Sequence, residues 1–169
     1  MHTLKSLTEA IGGQYRGQDI DLPAISIDSR TLSAGDLFVA IQGPNFDGHR
    51  YIDQAIDKGA AAVMVQQPVS VDVPCVEVDD TVKALGQMAK IWRQQFSVPV
   101  IALTGSCGKT TTKEMIATIL SCVGPTQATV GNKNNYYSLP IMLLGLRLHH
   151  QFAVIEMGTN SPGEIDYLA

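Results

Sequence analysis

"PVIALTGSCGKTTTKEM", residues 99–115, sets an apolar run, a glycine-bearing turn with a lysine, and a helical pattern in direct succession. A loop that holds phosphate needs those parts: a strand, a tight turn whose backbone N–H groups converge, a lysine, and a hydroxyl at the start of a helix. Gly105 and Gly108 permit the turn, Lys109 is placed to reach the β- and γ-phosphates of a nucleotide, and Thr110 is placed to ligate magnesium. Ser106, Cys107 and Thr111 complete the cradle, with the backbone N–H of Cys107 mattering more than its sulfur. The general phosphate-loop pattern has four residues between its glycines, whereas here only Ser106 and Cys107 separate them. The other reading of this turn is a helix N-cap with an incidental lysine. The helix that follows is expected to bury Met115, Ile116, Ile119 and Leu120.

Working outward, "TQATV" at 126–130 and "FAVIEM" at 152–157 read as strands, with a helix from Thr110, another from about Leu139, and a last helical pattern in "GEIDYLA". Strands alternating with helices of this length predict a parallel sheet. Glu156 lies near the carboxyl end of a buried strand, where open α/β sheets place their ligands, and is a candidate second magnesium ligand. A structural salt bridge is its alternative role. Upstream, "AISID" (24–28), "LFVAI" (37–41), "AAVMV" (61–65) and "CVEV" (75–78) are short strand-like runs bounded by Gly, Pro, Asp or Ser. A helical stripe of Tyr51, Ile52, Ala55 and Ile56 closes at Gly59. The helix that begins after Asp79 and Asp80 carries Leu85, Met88, Ala89, Trp92 and Phe96 on one face. The fold class expected is α/β: a small N-terminal α/β domain over residues 1–80, then the first part of a parallel-sheet phosphate-loop ATPase domain over 81–169.

Composition agrees with this. Of 169 residues, 45% are apolar and 17% charged, which suits a packed core and not a disordered chain. The apolar run "LPIMLLGL" is far shorter than the ~18 residues of a membrane span, and the N-terminal "MHTLKSLTEAIGG" reads as an amphipathic helix, not a signal peptide. A cytoplasmic location follows as an expectation. Three cysteines without a CxxC pair read as free thiols, and the adjacent His149 and His150 do not share a helix face, so no zinc site is expected. A net charge of −4 argues against a nucleic-acid partner. It leaves room for a phosphate ligand, because backbone dipoles and one lysine outweigh a mild global field.

The residues resemble the Mur ligases of bacterial cell-wall synthesis. "TGSCGKTT" is similar to that family's variant phosphate loop, with two residues between the glycines. "DSRTLSAGDLFVAIQGPNFDGHRYI" (28–52) is similar to its uridine-nucleotide segment, "GNKNNYYSLP" (131–140) to an asparagine-rich loop, and "AVIEMGTNSPGEI" (153–165) to its acidic strand and turn. The resemblance implies that Ser29, Arg30 and Thr31 contact the UDP end of a muramoyl peptide, helped by Gly43, Asp47, Gly48 and His49. It also implies that Asn132, Asn134 and Asn135 line the reacting end. Read without the family, Asp28-Ser29-Arg30 is an Asx-type turn, His49 a packing or surface histidine, and the asparagines serve turns needing positive φ. The family glycine at position 138 is replaced here by Ser138.

The implied branch of the family uses ATP and Mg2+ to phosphorylate the terminal carboxylate of UDP-N-acetylmuramoyl tripeptide. The amine of D-alanyl-D-alanine then displaces phosphate from the acyl phosphate, with Lys109, Thr110 and Glu156 as the catalytic set. The sibling ligase that forms the tripeptide is the alternative, as is a UDP-substrate-binding module without ATPase activity. The family's modified lysine, its histidine at the metal site, its adenine contacts and its amine-binding domain have no counterpart in residues 1–169. The chain is therefore expected to be a piece of such a ligase, catalytically incompetent alone.

Overall fold

The computed structural model describes residues 3–43, 46–131, 133–159 and 163–168. They form two compact units, Met1–Ile91 and Trp92–Ala169.

In the first unit, α1 (Leu4–Ala10) is capped by the Thr3 hydroxyl, which accepts from Ser6 N–H at 3.2 Å. A five-stranded sheet follows, in the order β1-β7-β6-β3-β2. Its strands are β1 (Gln14–Arg16), β2 (Ile25–Ser26), β3 (Leu37–Val39), β6 (Ala62–Val65) and β7 (Cys75–Glu77). All pairs are parallel except β1 with β7. Sequence analysis missed the polar β1, which pairs at the edge and carries little apolar signal. It also missed the two-stranded hairpin of β4 (Gln42–Gly43) and β5 (Phe46–Asp47). α2 (Ile52–Asp57) buries Ile52 and Ala55 against the sheet core of Phe38, Ala40, Val63 and Val65. α3 (Thr81–Arg93) is capped by Asp80, whose Oδ1 accepts from Val82 and Lys83 N–H at 2.9 and 3.0 Å. Leu85, Met88, Ala89, Trp92 and Phe96 are all buried, as the stripe predicted. The division between the two units falls inside this helix.

The second unit is built on a parallel sheet in the order β8-β10-β9, made of β8 (Val100–Leu103), β9 (Thr126–Ala128) and β10 (Phe152–Glu156). Ala153, Val154 and Ile155 are buried in its central strand. α4 (Lys109–Ser121) packs on β9 and β10, and α5 (Ser138–Leu144) and α6 (Glu164–Leu168) complete the unit. Two expectations need correction. The face that α4 buries is centred on Lys113 and Ala117, with Ile116 and Leu120 half-buried; Met115 and Ile119 are 63% and 66% exposed. Counting apolar residues rotates the helix, because a lysine that is both paired and hydrogen-bonded, as Lys113 is, can take a buried position. β9 also ends at Ala128, two residues short of the apolar run, and Val130 is exposed.

Candidate functional site

The loop Thr104–Gly108 joins β8 to α4. Gly105 and Gly108 both take positive φ, +150° and +74°, a region that L side chains rarely enter. Gly108 is the N-cap of α4 and offers no side chain to the helix end; the first turn closes with Thr112 N–H on Gly108 O at 2.9 Å. The N–H groups of Gly108, Lys109, Thr110 and Thr111 therefore lie outside the helix ladder, at the positive end of the helix dipole. Lys109, first residue of the helix, folds back so that Nζ donates to Gly105 O at 2.6 Å. The lysine thus stays inside its own loop, on the mouth formed by these amides. Ser106, Cys107, Thr110 and Thr111 are exposed around it.

Beside the loop is a cavity of about 300 Å³ whose lining includes Lys109, Asn134, Asn135, Tyr137, Gly158 and Glu164. Asn134 donates from Nδ2 to Glu156 Oε1 at 2.7 Å. Glu156 is 1% exposed, and its other oxygen, Oε2, has no hydrogen-bond partner among the described residues. A buried carboxylate oxygen without a partner costs on the order of 1–3 kcal/mol or more, a cost that a bound cation would offset. Among the described residues no lysine, arginine or histidine pairs with Glu156, so the salt-bridge alternative is not the arrangement found. Nor do three or more His, Cys, Asp or Glu side chains converge there on a possible metal position. One carboxylate and the Thr110 hydroxyl suit magnesium, which keeps waters and shares itself with phosphates instead of filling an all-protein cage.

The asparagine-rich loop divides its labour. Asn135 turns inward: its Oδ1 accepts from Ser138 N–H at 2.9 Å and from the Ser138 hydroxyl at 2.7 Å, and Asn135 N–H donates to Ser138 Oγ at 3.1 Å. Ser138 thereby closes the start of α5. Neither Asn134 nor Asn135 has positive φ; among the described residues of this loop only Gly131 does, at +57°. Asn132 lies outside the described residues.

In the first unit, Asp28-Ser29-Arg30 adopts the Asx-type turn. Asp28 Oδ1 accepts from Arg30 N–H at 2.9 Å, and the guanidinium grips both carboxylate oxygens at 2.9 and 2.7 Å. That side-chain bond first, and the backbone N–H second, hold the Asp28 carboxyl well below the usual range, at about 2. Ser29 is buried, donating to Gln54 Oε1 at 2.6 Å, and Thr31 N–H donates to Asp28 O at 3.2 Å. The His49 side chain is buried too: its Nδ1 lies 2.7 Å from Asp47 Oδ1, and its Nε2 accepts from Gln66 N–H at 3.1 Å. Both ring nitrogens are used by the fold, which fixes the proton on Nδ1 and lowers the Asp47 pKa, the side-chain bond being the larger cause. Gly48 packs so closely that a Cβ would sit 2.9 Å from backbone atoms of Ala40 and Ile41. Gly43 is exposed in β4. These residues cluster in one unit, with Ser29 and His49 as supports and Arg30 facing solvent.

Residues 22–93 match the family model described as Mur ligase family, catalytic domain, and residues 103–169 match the Mur ligase middle domain. The chain belongs to the Mur ligase family. Among Mur ligases, the UDP-N-acetylmuramoyl-tripeptide–D-alanyl-D-alanine ligase of Escherichia coli (strain K12) is 47% identical over 163 residues, covering 96% of this chain and 36% of that one. A crystal structure of MurF from Acinetobacter baumannii matches with a TM-score of 0.86 at 43% identity, over 96% of this chain and 36% of its own. The MurF ligase from Thermotoga maritima in complex with ADP matches with a TM-score of 0.75 at 35% identity, over 87% of this chain and 34% of its own. This Mur ligase chain thus spans little more than a third of the length of those relatives.

Two contributors escaped sequence analysis. Lys113 sits four residues after Lys109, on the same helix face, a spacing that was legible but outweighed by the apolar residues nearby. Gly158 lies against Asn134, and nothing in the sequence connects them.

Proposed function

We infer that this chain supplies two parts of an ATP-dependent ligase that joins D-alanyl-D-alanine to UDP-N-acetylmuramoyl tripeptide. Residues 1–80 serve the UDP substrate and residues 81–169 serve ATP. The observation that carries the reading is the mouth of α4, where Lys109 and four amides outside the helix ladder face one loop, a short distance along the fold from a buried, half-partnered carboxylate. The 47% identity to a ligase of that name supplies the substrates.

In this reading Gly105, Ser106, Cys107, Gly108 and Thr111 surround the phosphates with backbone N–H groups, and Lys109 exchanges Gly105 O for a phosphate oxygen. Thr110 and Glu156 would hold Mg2+, which when bound neutralises phosphate charge. Asn134 keeps the Glu156 carboxylate in one orientation. A carboxylate resists attack by an amine because its carbon is electron-rich and oxide leaves poorly. Phosphorylation of the tripeptide's terminal carboxylate removes that obstacle, and the amine of the dipeptide displaces inorganic phosphate. The charge that grows on the transferring phosphoryl group is met by Lys109 and the loop amides. On the UDP side, Arg30 offers a planar guanidinium and Thr31 a hydroxyl, seated by the Asp28 turn. A cytoplasmic location fits a chain that acts on two nucleotide substrates.

A unit charge pair at 4 Å is worth about 4 kcal/mol at an effective dielectric of 20. Lys109→Ala should therefore weaken Mg2+-ADP binding, measured by calorimetry, by roughly two to three orders of magnitude. Equal affinity in the two proteins would sink the nucleotide assignment. Given ATP, UDP-muramoyl tripeptide and D-alanyl-D-alanine, residues 1–169 alone are expected to form no product above the Lys109→Ala background.

A further inference from the structure

Lys113 is completely buried, and no step above uses it. Its Nζ donates to Thr129 O at 2.6 Å and pairs with Glu114 Oε1, also at 2.6 Å. Thr129 stands immediately after β9, and its N–H donates to Val154 O at 3.0 Å in the regular parallel manner. In that pattern the next bond runs from Glu156 N–H to Thr129 O. It does not form. The Thr129 carbonyl is taken by Lys113, and Glu156 N–H donates instead to the Thr129 hydroxyl at 3.0 Å.

One side chain thus ends a strand. With its carbonyl turned toward α4, the chain leaves the sheet at Thr129, and the following loop returns with Asn134 on the Glu156 carboxylate. The same substitution leaves Glu156, backbone and side chain, held by Thr129 and Asn134 in place of a main-chain acceptor.

We propose that Lys113 is a positioning residue for the nucleotide site: by drawing the Thr129 carbonyl out of the ladder, it makes the Thr129 hydroxyl the seat of Glu156 and sets the metal-facing carboxylate. The proposal rests on the assignment of Glu156 to magnesium made above. Removal of a residue that orients a metal ligand typically costs about 10–100-fold in metal affinity. Thr129→Val deletes the hydroxyl and keeps the shape, Thr129→Ser keeps the hydroxyl, and Lys113→Met removes the ammonium from the same volume.

Calorimetric titration of the protein with ADP, once in EDTA and once across a Mg2+ series, separates the roles. Thr129→Val and Lys113→Met should raise the Mg2+ midpoint at least tenfold with ADP affinity in EDTA unchanged, and Thr129→Ser should restore the wild-type midpoint. An unchanged midpoint in Thr129→Val overturns the proposal, as does an equal loss with and without Mg2+. Because the Thr129 pair decides the matter, a Lys113→Met protein that fails to fold does not obscure the result. The Mg2+ assignment has its own control: Glu156→Gln with a wild-type midpoint would remove that assignment, whatever the Thr129 variants do.

Discussion

Glu156 depends on a donor that has little room to move. A Cβ on Gly158 would stand 2.7 Å from Asn134 Oδ1 and 2.8 Å from its Cγ, while Gly158 N–H holds Asn134 O at 2.8 Å. Gly158→Ala should push the amide off the carboxylate and weaken Mg2+-ADP binding about tenfold, with the melting transition little changed; calorimetry beside circular dichroism checks both halves. Asp28 offers a second test. Its folded pKa of about 2 lies below the ~3.9 of an unfolded aspartate. Its contribution to stability is therefore complete above pH ~4 and is lost as pH falls toward 2. In Arg30→Ala the Asp28 carboxyl midpoint, followed by carbon NMR, should rise. Such bonds across one turn can be guessed from sequence. The partnership of Asn134, Gly158 and Glu156 cannot, because loop path and not spacing brings those residues together.

Strands with two buried faces announce themselves as apolar runs, and the stripe on α3 was legible for the same reason. Where elements end was less so. Nothing in "TQATV" reveals that a lysine in a neighbouring helix claims the carbonyl of its fourth residue. The outward apolar face of α4 misled in the opposite sense, because periodicity reports that a helix has a face without saying which neighbour meets it. The start of α5 is closed by its own side chains. Ser138 and Asn135 exchange three hydrogen bonds, a local equivalent of a helix cap. Asn135→Ala should cost about 1 kcal/mol, within the ordinary range for losing such a cap, measured as a shift of the urea midpoint. Asn135→Asp, which keeps the acceptor, should cost less.

On the function proposed above, the two units take different anions. The Asx turn at Asp28 and the Asp47–His49 pair belong to the first unit, and the phosphate loop with Glu156 belongs to the second. If each unit serves its own ligand, Arg30→Ala should weaken binding of UDP-muramoyl tripeptide at least several-fold and leave Mg2+-ADP affinity unchanged, with Lys109→Ala showing the converse. Two calorimetric titrations per variant suffice, and a variant that lowers both affinities together would contradict the division. A net charge of −4 does not oppose either ligand, since amide dipoles and single cations act within the ~10 Å over which salt leaves a field unscreened.

Cys107 has a practical consequence of its own. It is a free thiol, exposed at the crest of the phosphate loop, between two glycines that give the backbone its shape. On the nucleotide assignment proposed above, a small alkylating reagent attached there would stand where the anionic tail enters. Labelling speed therefore becomes a direct clock for occupancy, slowing in proportion to the fraction of molecules with a filled loop. The exposed Cys122, the C-cap residue at the far end of α4 from that mouth, supplies the internal standard.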